Sequence, residues 1–269
     1  MIQEYQNREV LPDKFISADV RHQQLQQYLQ LGITHLDDAF VLYPGSLVLI
    51  QGDMPNSILR SFITQLTVAL LINNPSVDLA FIDGANLFPY FEISHAARKQ
   101  GLDPLRILGR IQLSRAFNYH QMTEILYTKL PRLIDTNPRT RIVLVPQISS
   151  LYLSKEALQY LEYDKLTSTS SILELTQAVG KLKSLSLQYD LIGMTTAENA
   201  PHSNYKALGG TFLSHSATDV IRVAVTPGSS RHNHTLVFSV QKGGPTVQVK
   251  LSYTTGREEE HQVPLTQFW

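Results

Sequence analysis

Short apolar runs alternate with amphipathic stretches over most of this 269-residue chain. Five of the runs are continuous enough to be strands buried on both faces, and they span residues 46–50, 77–82, 111–113, 141–145 and 190–195. Stretches with apolar residues three and four positions apart predict helices, at residues 21–31, 57–73, 89–100, 119–135 and 168–188. This alternation predicts an α/β protein with a mainly parallel central sheet flanked by helices.

The pattern changes after Gly209. Three runs with strand propensity follow, separated by glycine, serine, asparagine and proline, and they span residues 219–225, 235–240 and 246–253. We expect them to form antiparallel hairpin strands at one edge of the sheet, which makes the sheet mixed. The chain then divides into an N-terminal arm, a core domain and a C-terminal tail, at residues 1–20, 21–255 and 256–269.

Composition narrows the classes of function. The formal net charge is zero, which argues against a protein whose whole surface binds nucleic acid but not against a local basic patch. The chain has no cysteine, so disulfides and thiolate metal sites are excluded. His232 and His234 alternate in a polar turn without an acidic partner nearby, and we predict no metal site there. The polar start of the chain and the lack of a long apolar run lead us to expect a cytoplasmic protein with no membrane span.

Two segments carry recognisable motifs. Residues 102–122 read LDPLRILGRIQLSRAFNYHQM, and residues 207–223 read ALGGTFLSHSATDVIRV. Both resemble the RadA branch of the RecA superfamily of strand-exchange recombinases. In that branch a Gly-Leu-Asp-Pro helix, an apolar strand and Arg-Ala-Phe-Asn come before a Gly-Gly-x-x-Leu-x-His segment. Leu36-Asp37-Asp38 is similar to the family's lead-in to its first core strand. The resemblance covers residues 15–253 and implies a RecA-like core.

The N-terminal arm contains a further motif. Residues 15–18 read FISA and resemble the Phe-x-x-Ala polymerisation motif of RadA proteins. In that family the phenylalanine and alanine insert into pockets on a neighbouring subunit, and the arm adds a strand to its sheet. The resemblance implies that Phe15 and Ala18 dock onto a like subunit or onto an active recombinase. The alternative is that Phe15 packs on its own subunit.

The phosphate loop that the resemblance implies is incomplete. The family pattern GxxxxGK[ST] directs backbone amides and a lysine at the phosphates and a hydroxyl at magnesium. Aligned from Gly52, the positions of its second glycine, lysine and hydroxyl hold Ser57, Ile58 and Leu59. An isoleucine cannot neutralise phosphate charge, and a leucine cannot ligate magnesium. Arg60 could substitute for the lysine only after a shift of register.

Two further positions of the implied nucleotide site are altered as well. The family's water-activating glutamate corresponds to Ala85, and its metal-supporting aspartate corresponds to Pro146. Neither residue can replace a carboxylate, and we expect the nearby Asp83 to have a structural role at the end of its strand. Because these groups act on the same phosphates in the family, their joint absence predicts a pseudo-ATPase with no catalytic residue and no cofactor. The alternative is an α/β protein unrelated to this family.

The resemblance also places two loops against nucleic acid, within residues 149–171 and 198–208. The candidate contacts are aromatic and basic side chains of these loops and one arginine beyond them, namely Tyr152, Lys155, Lys165, Tyr205, Lys206 and Arg231. Aromatic residues interleaved with lysines suit single-stranded DNA, through base stacking and neutralisation of phosphates. Acidic neighbours offset these charges in the first loop, so a solvated loop is equally consistent with its pattern.

Together these features predict a non-hydrolysing RadA-like paralogue that acts as an accessory or assembly subunit in DNA recombination or repair. Single-stranded DNA is a candidate ligand. Two alternatives stay open. Elongator contains RecA-like subunits that also lack these nucleotide motifs and that bind tRNA as a ring, and this chain could be an RNA-associated subunit of that kind. The zero net charge also allows a purely structural oligomer.

Overall fold

The computed structural model describes residues 29–31, 37, 40–153, 170–200, 203, 206–227, 233–241 and 248–254. Eight strands within these ranges form one sheet: β1 (Leu47–Gln51), β2 (Asp78–Asp83), β3 (Ile111–Arg115), β4 (Thr140–Val145), β5 (Ile192–Ala197), β6 (Asp219–Pro227), β7 (Asn233–Val240) and β8 (Gln248–Thr254). Their order across the sheet is β3-β2-β4-β5-β1-β6-β7-β8. Neighbours from β3 to β6 pair in parallel, whereas β7 is antiparallel to both β6 and β8. This sheet confirms the predicted α/β class.

Helices follow the strands, as the apolar periodicity predicts. They are α1 (Asn56–Asn73), α2 (Tyr90–Lys99), α3 (Pro104–Leu108), α4 (Tyr119–Glu124), α5 (Leu130–Thr136), α6 (Ser170–Tyr189) and α7 (Thr211–Ser216). The predicted helix 119–135 is interrupted, because a π-helical turn, Ile125–Lys129, joins α4 to α5. Pro131 follows this turn and has no N–H to donate to a carbonyl four residues earlier, which accounts for the wider turn. Within the described ranges, none of the helices is both long and apolar enough to cross a bilayer.

Two hydrophobic clusters cover the two faces of the sheet. Side chains of α1, α2 and α3 pack on one face, and side chains of α4, α5, α6 and α7 pack on the other. Every residue of β1, β2 and β5 is buried, so these central strands show no alternation of apolar and polar positions. The continuous apolar runs in the sequence are the signature of this burial on both faces.

The predicted helix 21–31 is wrong at its described end. Residues 29–31 are not helical, because the backbone N–H of Leu29 donates to the carbonyl of Leu42 at 3.0 Å in an antiparallel bridge. The remainder of this predicted helix lies outside the described residues. Local periodicity favoured a helix there, but tertiary pairing with the segment before β1 prevailed.

Two strands also differ in detail from the prediction. β5 begins two residues later than expected, because Asp190 turns the chain with a left-handed φ of 52°. β6 was expected to be purely antiparallel, yet it pairs in parallel with β1 and antiparallel with β7. It therefore extends the parallel part of the sheet by one strand, which its alternating sequence could not reveal.

The Arg110 guanidinium ties the end of α1 to the start of β3. It donates hydrogen bonds to the carbonyl oxygens of Leu71 at 2.7 Å and Asn74 at 2.6 Å, and also to that of Val77. Burial lowers the pKa of Arg110, against the attraction of the Asp78 carboxylate 3.7 Å away. Because the last carbonyls of a helix have no partner within it, this one side chain supplies donors at the end of α1, where the Asn74 carbonyl also accepts from the backbone N–H of Val77 at 3.1 Å.

We predict that Arg110→Met lowers the free energy of unfolding by about 3 kcal/mol, because several carbonyls then lose their donor. Urea denaturation followed by circular dichroism measures this loss. Arg98→Met, at an exposed position near the end of α2, is the matched control and should change stability by less than about 0.5 kcal/mol. Equal effects of the two substitutions would show that the Arg110 bonds carry no net stability.

Candidate functional site

A cleft of about 700 Å³ opens at the carboxyl ends of β1, β4 and β5. Asp53 from the β1–α1 loop, Gln147 from the turn after β4, and Glu198 from the end of β5 line it. The helix after β1 packs on one face of the sheet, while those after β4 and β5 pack on the other. In open parallel sheets, such a switch point is where ligands bind. The loop after β1, where the family pattern places its phosphate loop, lies at this switch point.

Gly52 sets the path of the loop that leaves β1. Its N–H donates to the carbonyl of Ala197 at 3.0 Å, which continues the pairing of β1 with β5 by one residue. A Cβ atom at Gly52 would lie 2.0 Å from the carbonyl oxygen of Val223 on β6. Only glycine therefore fits between these two strands. After it the chain turns through residues 53–55 directly into α1.

The positions aligned with the family's lysine and hydroxyl do not face the cleft. Ile58 and Leu59 are each only 1% exposed and belong to the hydrophobic cluster between α1 and the sheet. Ser57 is exposed. Pro55 precedes the helix and has no N–H to offer to an anion. The first turn of α1 thus lacks the cation and the hydroxyl that a phosphate loop needs at these positions.

Arg60 does not replace the missing lysine. Its guanidinium lies 3.2 Å from the carboxylate of Glu92 on α2 and forms an ion pair with it. Arg60 is not among the residues that line the cleft. The substitution by a shift of register, considered from the sequence, is therefore not supported by the position of this side chain.

The cleft carries acidic rather than basic groups. The Asp53 carboxylate accepts hydrogen bonds from the backbone N–H and the side-chain amide of Asn199, both at 3.0 Å, and Gln51 donates to the Asn199 side chain at 2.8 Å. Gln147 donates to the Glu198 carboxylate at 3.3 Å. Neither lysine nor arginine occurs among the described residues of the lining. The negative charge of these two carboxylates disfavours phosphate, which binds through positive charge and N–H donors.

The turn after β4 holds the backbone in an unusual conformation. Gln147 has left-handed dihedrals, with φ 47° and ψ 52°, and its N–H donates to the Thr196 hydroxyl at 2.9 Å. Residues other than glycine adopt this region at a cost, and such positions cluster at functional sites. The preceding Pro146 supplies no carboxylate, so this turn offers an amide side chain where the family has a metal-supporting acid.

Asp83 has the structural role expected of it. Its buried carboxylate accepts hydrogen bonds from the backbone N–H of Leu87 at 2.8 Å and of Phe88 at 3.1 Å, and Arg115 lies 3.6 Å away. These contacts shape the loop that leads into α2. Ala85, in the same loop, packs against the core. Neither residue lines the cleft, so neither can activate a water molecule there.

Most of the residues implied in docking and nucleic-acid binding lie outside the described residues, namely Phe15, Ala18, Lys155, Lys165, Tyr205 and Arg231. Lys206 is described and exposed. Tyr152 is only 7% exposed and its ring packs 6.4 Å from that of Tyr119, so it is not available to stack on a base. Burial, with a smaller contribution from nearby Glu174, raises the pKa of Tyr152, which keeps its phenol neutral.

No protein-family model matches the chain. The resemblance to RadA proteins therefore rests on the motifs quoted above. Within the part of the chain that the structure describes, no group of three or more histidine, aspartate and glutamate side chains is placed to hold a metal ion.

Sequence reasoning missed the polar residues that give the cleft its character: Asp53, Gln147, Glu198 and Asn199. One signal was present, because Asp53, Gln147 and Glu198 come two or three residues after the ends of predicted strands. Polar residues at the carboxyl ends of parallel strands meet at one edge of the sheet. The family pattern specifies only the phosphate-binding groups and gives no information on the polar residues that line this cleft.

We predict that Gly52→Ala lowers the free energy of unfolding by about 2 to 3 kcal/mol, because the new methyl group overlaps the backbone of β6. Gly180→Ala is the matched control, since a Cβ at this position in α6 meets no atom within 4 Å. It should raise stability by up to about 1 kcal/mol through helix propensity. Chemical denaturation of both variants measures the two changes in the free energy of unfolding. A Gly52→Ala protein as stable as the parent would contradict the close approach of Gly52 to Val223.

Proposed function

We propose that this protein is a RadA-like paralogue that does not use ATP, and that it acts as an accessory or assembly subunit in DNA recombination or repair. The observation that carries the proposal is the cleft at the switch point where a RecA-type protein would bind triphosphate, because its described lining has two carboxylates and neither lysine nor arginine. A scaffold of this class with such a cleft is suited to holding partners together and unsuited to phosphoryl transfer.

The RadA-like motif is evidence for a RecA-type scaffold and not for nucleotide chemistry. Asp103 caps α3 by accepting a hydrogen bond from the N–H of Leu105 at 3.0 Å. Asn118 caps α4 by accepting from the N–H of Gln121 at 2.9 Å, while the Gln121 side chain accepts from the N–H of Phe117 at 2.7 Å. This reciprocal arrangement is similar to a capping box, with Gln121 bonding the residue before the N-cap instead of the N-cap itself. Such a motif can persist after the nucleotide site is lost, because its residues cap the helices on either side of β3.

The edge strand β3 is a suitable pairing partner for the arm of a second subunit. This strand is at the edge of the described sheet, so one row of its backbone N–H and C=O groups faces away from the sheet. Leu113 on the strand is 43% exposed, and Phe117 just after it is 75% exposed. An extended segment with an apolar anchor, such as residues 15–18, can pair with this edge and cover these side chains. The proposal therefore includes either self-assembly or docking on an active recombinase.

Single-stranded DNA remains a candidate ligand of this subunit. Base stacking needs exposed aromatic rings, and burial of Tyr152 removes one candidate from the described part of the first loop. Binding through the remaining cations would be sensitive to salt.

We predict no ATP binding that magnesium strengthens, and no ATP hydrolysis, because the cleft offers carboxylates to the phosphates. Calorimetric titration of ATP into the full chain, with and without magnesium, measures the first property, and phosphate release measures the second. Asp53→Asn serves as a comparison and should behave in the same way, since removing one negative charge does not supply the missing lysine. Tight, magnesium-dependent binding of ATP would overturn the proposal.

We also predict that Phe15→Ala and Leu113→Lys each shift the protein to a smaller assembly in size-exclusion chromatography with light scattering. The first removes the anchor, and the second places a charge where the incoming strand must pack. Leu173→Lys is the matched control, because Leu173 is 60% exposed on α6, a helix whose main strand contacts are with β1 and β5. If the parent chain is already a monomer, the same three variants are compared for retention by a RadA-type recombinase. An unchanged assembly state together with unchanged retention would contradict docking of the arm on β3.

A further inference from the structure

A second, basic pocket of about 360 Å³ lies beside α7 and β6. Three basic side chains line it together with hydroxyl and amide groups, and the polar residues of the lining are Lys206, Thr211, Ser214, His215, Arg222 and Gln241. The segment 198–208 contributes to both cavities, since Glu198 and Leu208 line the acidic cleft and Lys206 lines this pocket.

Secondary structure sets the directions of these groups. Thr211, Ser214 and His215 are separated by three and four residues on α7 and therefore share one side of the helix. Arg222 lies in the middle of the sheet, because it is paired with Gln51 of β1 and with Ser239 of β7. The position of Arg222 thus depends on a strand held from both sides and not on a loop.

Backbone contacts hold the other two contributors. The N–H of Gln241, just after β7, donates to the carbonyl of Val220 at 2.9 Å. Lys206 donates its N–H to the Ser203 hydroxyl at 3.0 Å and accepts from the N–H of Ala200 at 2.7 Å. The pocket is therefore assembled from four separate segments of the chain that converge on one space.

The charge of this lining is opposite to that of the cleft. Lysine and arginine carry two full positive charges at neutral pH, and no acidic residue occurs among the described residues of the lining. Asp219 lies on the same strand as Arg222 but three positions earlier, so the alternation of a strand places it on the other face. Cations combined with hydroxyl and amide donors are the groups that bind phosphate oxygens.

We propose that this pocket binds a compact phosphate group, such as free phosphate or pyrophosphate, at a site separate from the acidic cleft. The groups converge from a short helix, a strand and two chain segments on a small volume, which suits a compact anion with several oxygens better than an extended strand. The proposal rests on the pocket itself and does not depend on the RadA resemblance.

Calorimetric titration of the full chain with sodium phosphate and with sodium pyrophosphate, at matched ionic strength in chloride, tests the proposal. We expect saturable binding, with pyrophosphate tighter than phosphate. Lys206→Ala and Arg222→Gln should each weaken the binding at least tenfold. Lys99→Ala removes one exposed cation from α2, on the opposite face of the sheet, and should leave the affinity unchanged.

Three outcomes would overturn the proposal. One is the absence of saturable binding of either anion, and another is equal weakening by Lys99→Ala, which would indicate only a general charge effect. The third is binding of a dT20 oligonucleotide without any binding of phosphate or pyrophosphate, which would make the surface an extended nucleic-acid site. Lys206 is exposed, so its variant keeps the test valid if Arg222→Gln does not fold. A failure here leaves the accessory-subunit proposal untouched, because that proposal concerns the cleft and the arm.

Discussion

The central strand β1 is the constraint on which the rest of this structure depends. All of its residues are buried, and it pairs in parallel with β5 on one side and with β6 on the other. Where it ends, Gly52 passes so close to β6 that no side chain fits. The chain must then enter α1 at once, and the first turn of that helix directs Ile58 and Leu59 into the core. The same packing shapes the site and buries Ile58, which stands at the position aligned with the family's lysine.

The charges around segment 198–208 divide into two cavities of opposite sign. Asp53 and Glu198 belong to the cleft, where amide side chains of neighbouring residues hold each carboxylate. Lys206 and Arg222 belong to the second pocket. A formal net charge of zero for the whole chain conceals this separation. Local arrangement, and not the total, decides which ligands a surface attracts.

Under the proposed function, the RadA-like segments keep a structural role after nucleotide chemistry is lost. Asp103, Asn118 and Gln121 cap short helices on either side of β3, and these bonds are needed whether or not a nucleotide binds nearby. Ile58, Ala85 and Pro146 fill the corresponding nucleotide positions with side chains that suit a packed core and a tight turn. Selection for the scaffold can therefore continue without selection for the pocket, which is consistent with the proposed role in assembly.

The sequence by itself determined the α/β class, five of the six parallel strands and most of the helices, because burial on both faces leaves a continuous apolar run that needs no knowledge of neighbours. It also showed that Ser57, Ile58 and Leu59 stand where the phosphate-loop pattern, counted from Gly52, has a glycine, a lysine and a hydroxyl residue. Only the tertiary structure decided that β6 pairs in parallel with β1, that residues 29–31 pair with the segment before β1 instead of forming a helix, and that Tyr152 is buried. The acidic cleft and the basic pocket could not be predicted from the sequence either, because their side chains come from segments far apart in the chain. Such contacts depend on the register and packing of the whole sheet, and no local pattern of residues records them.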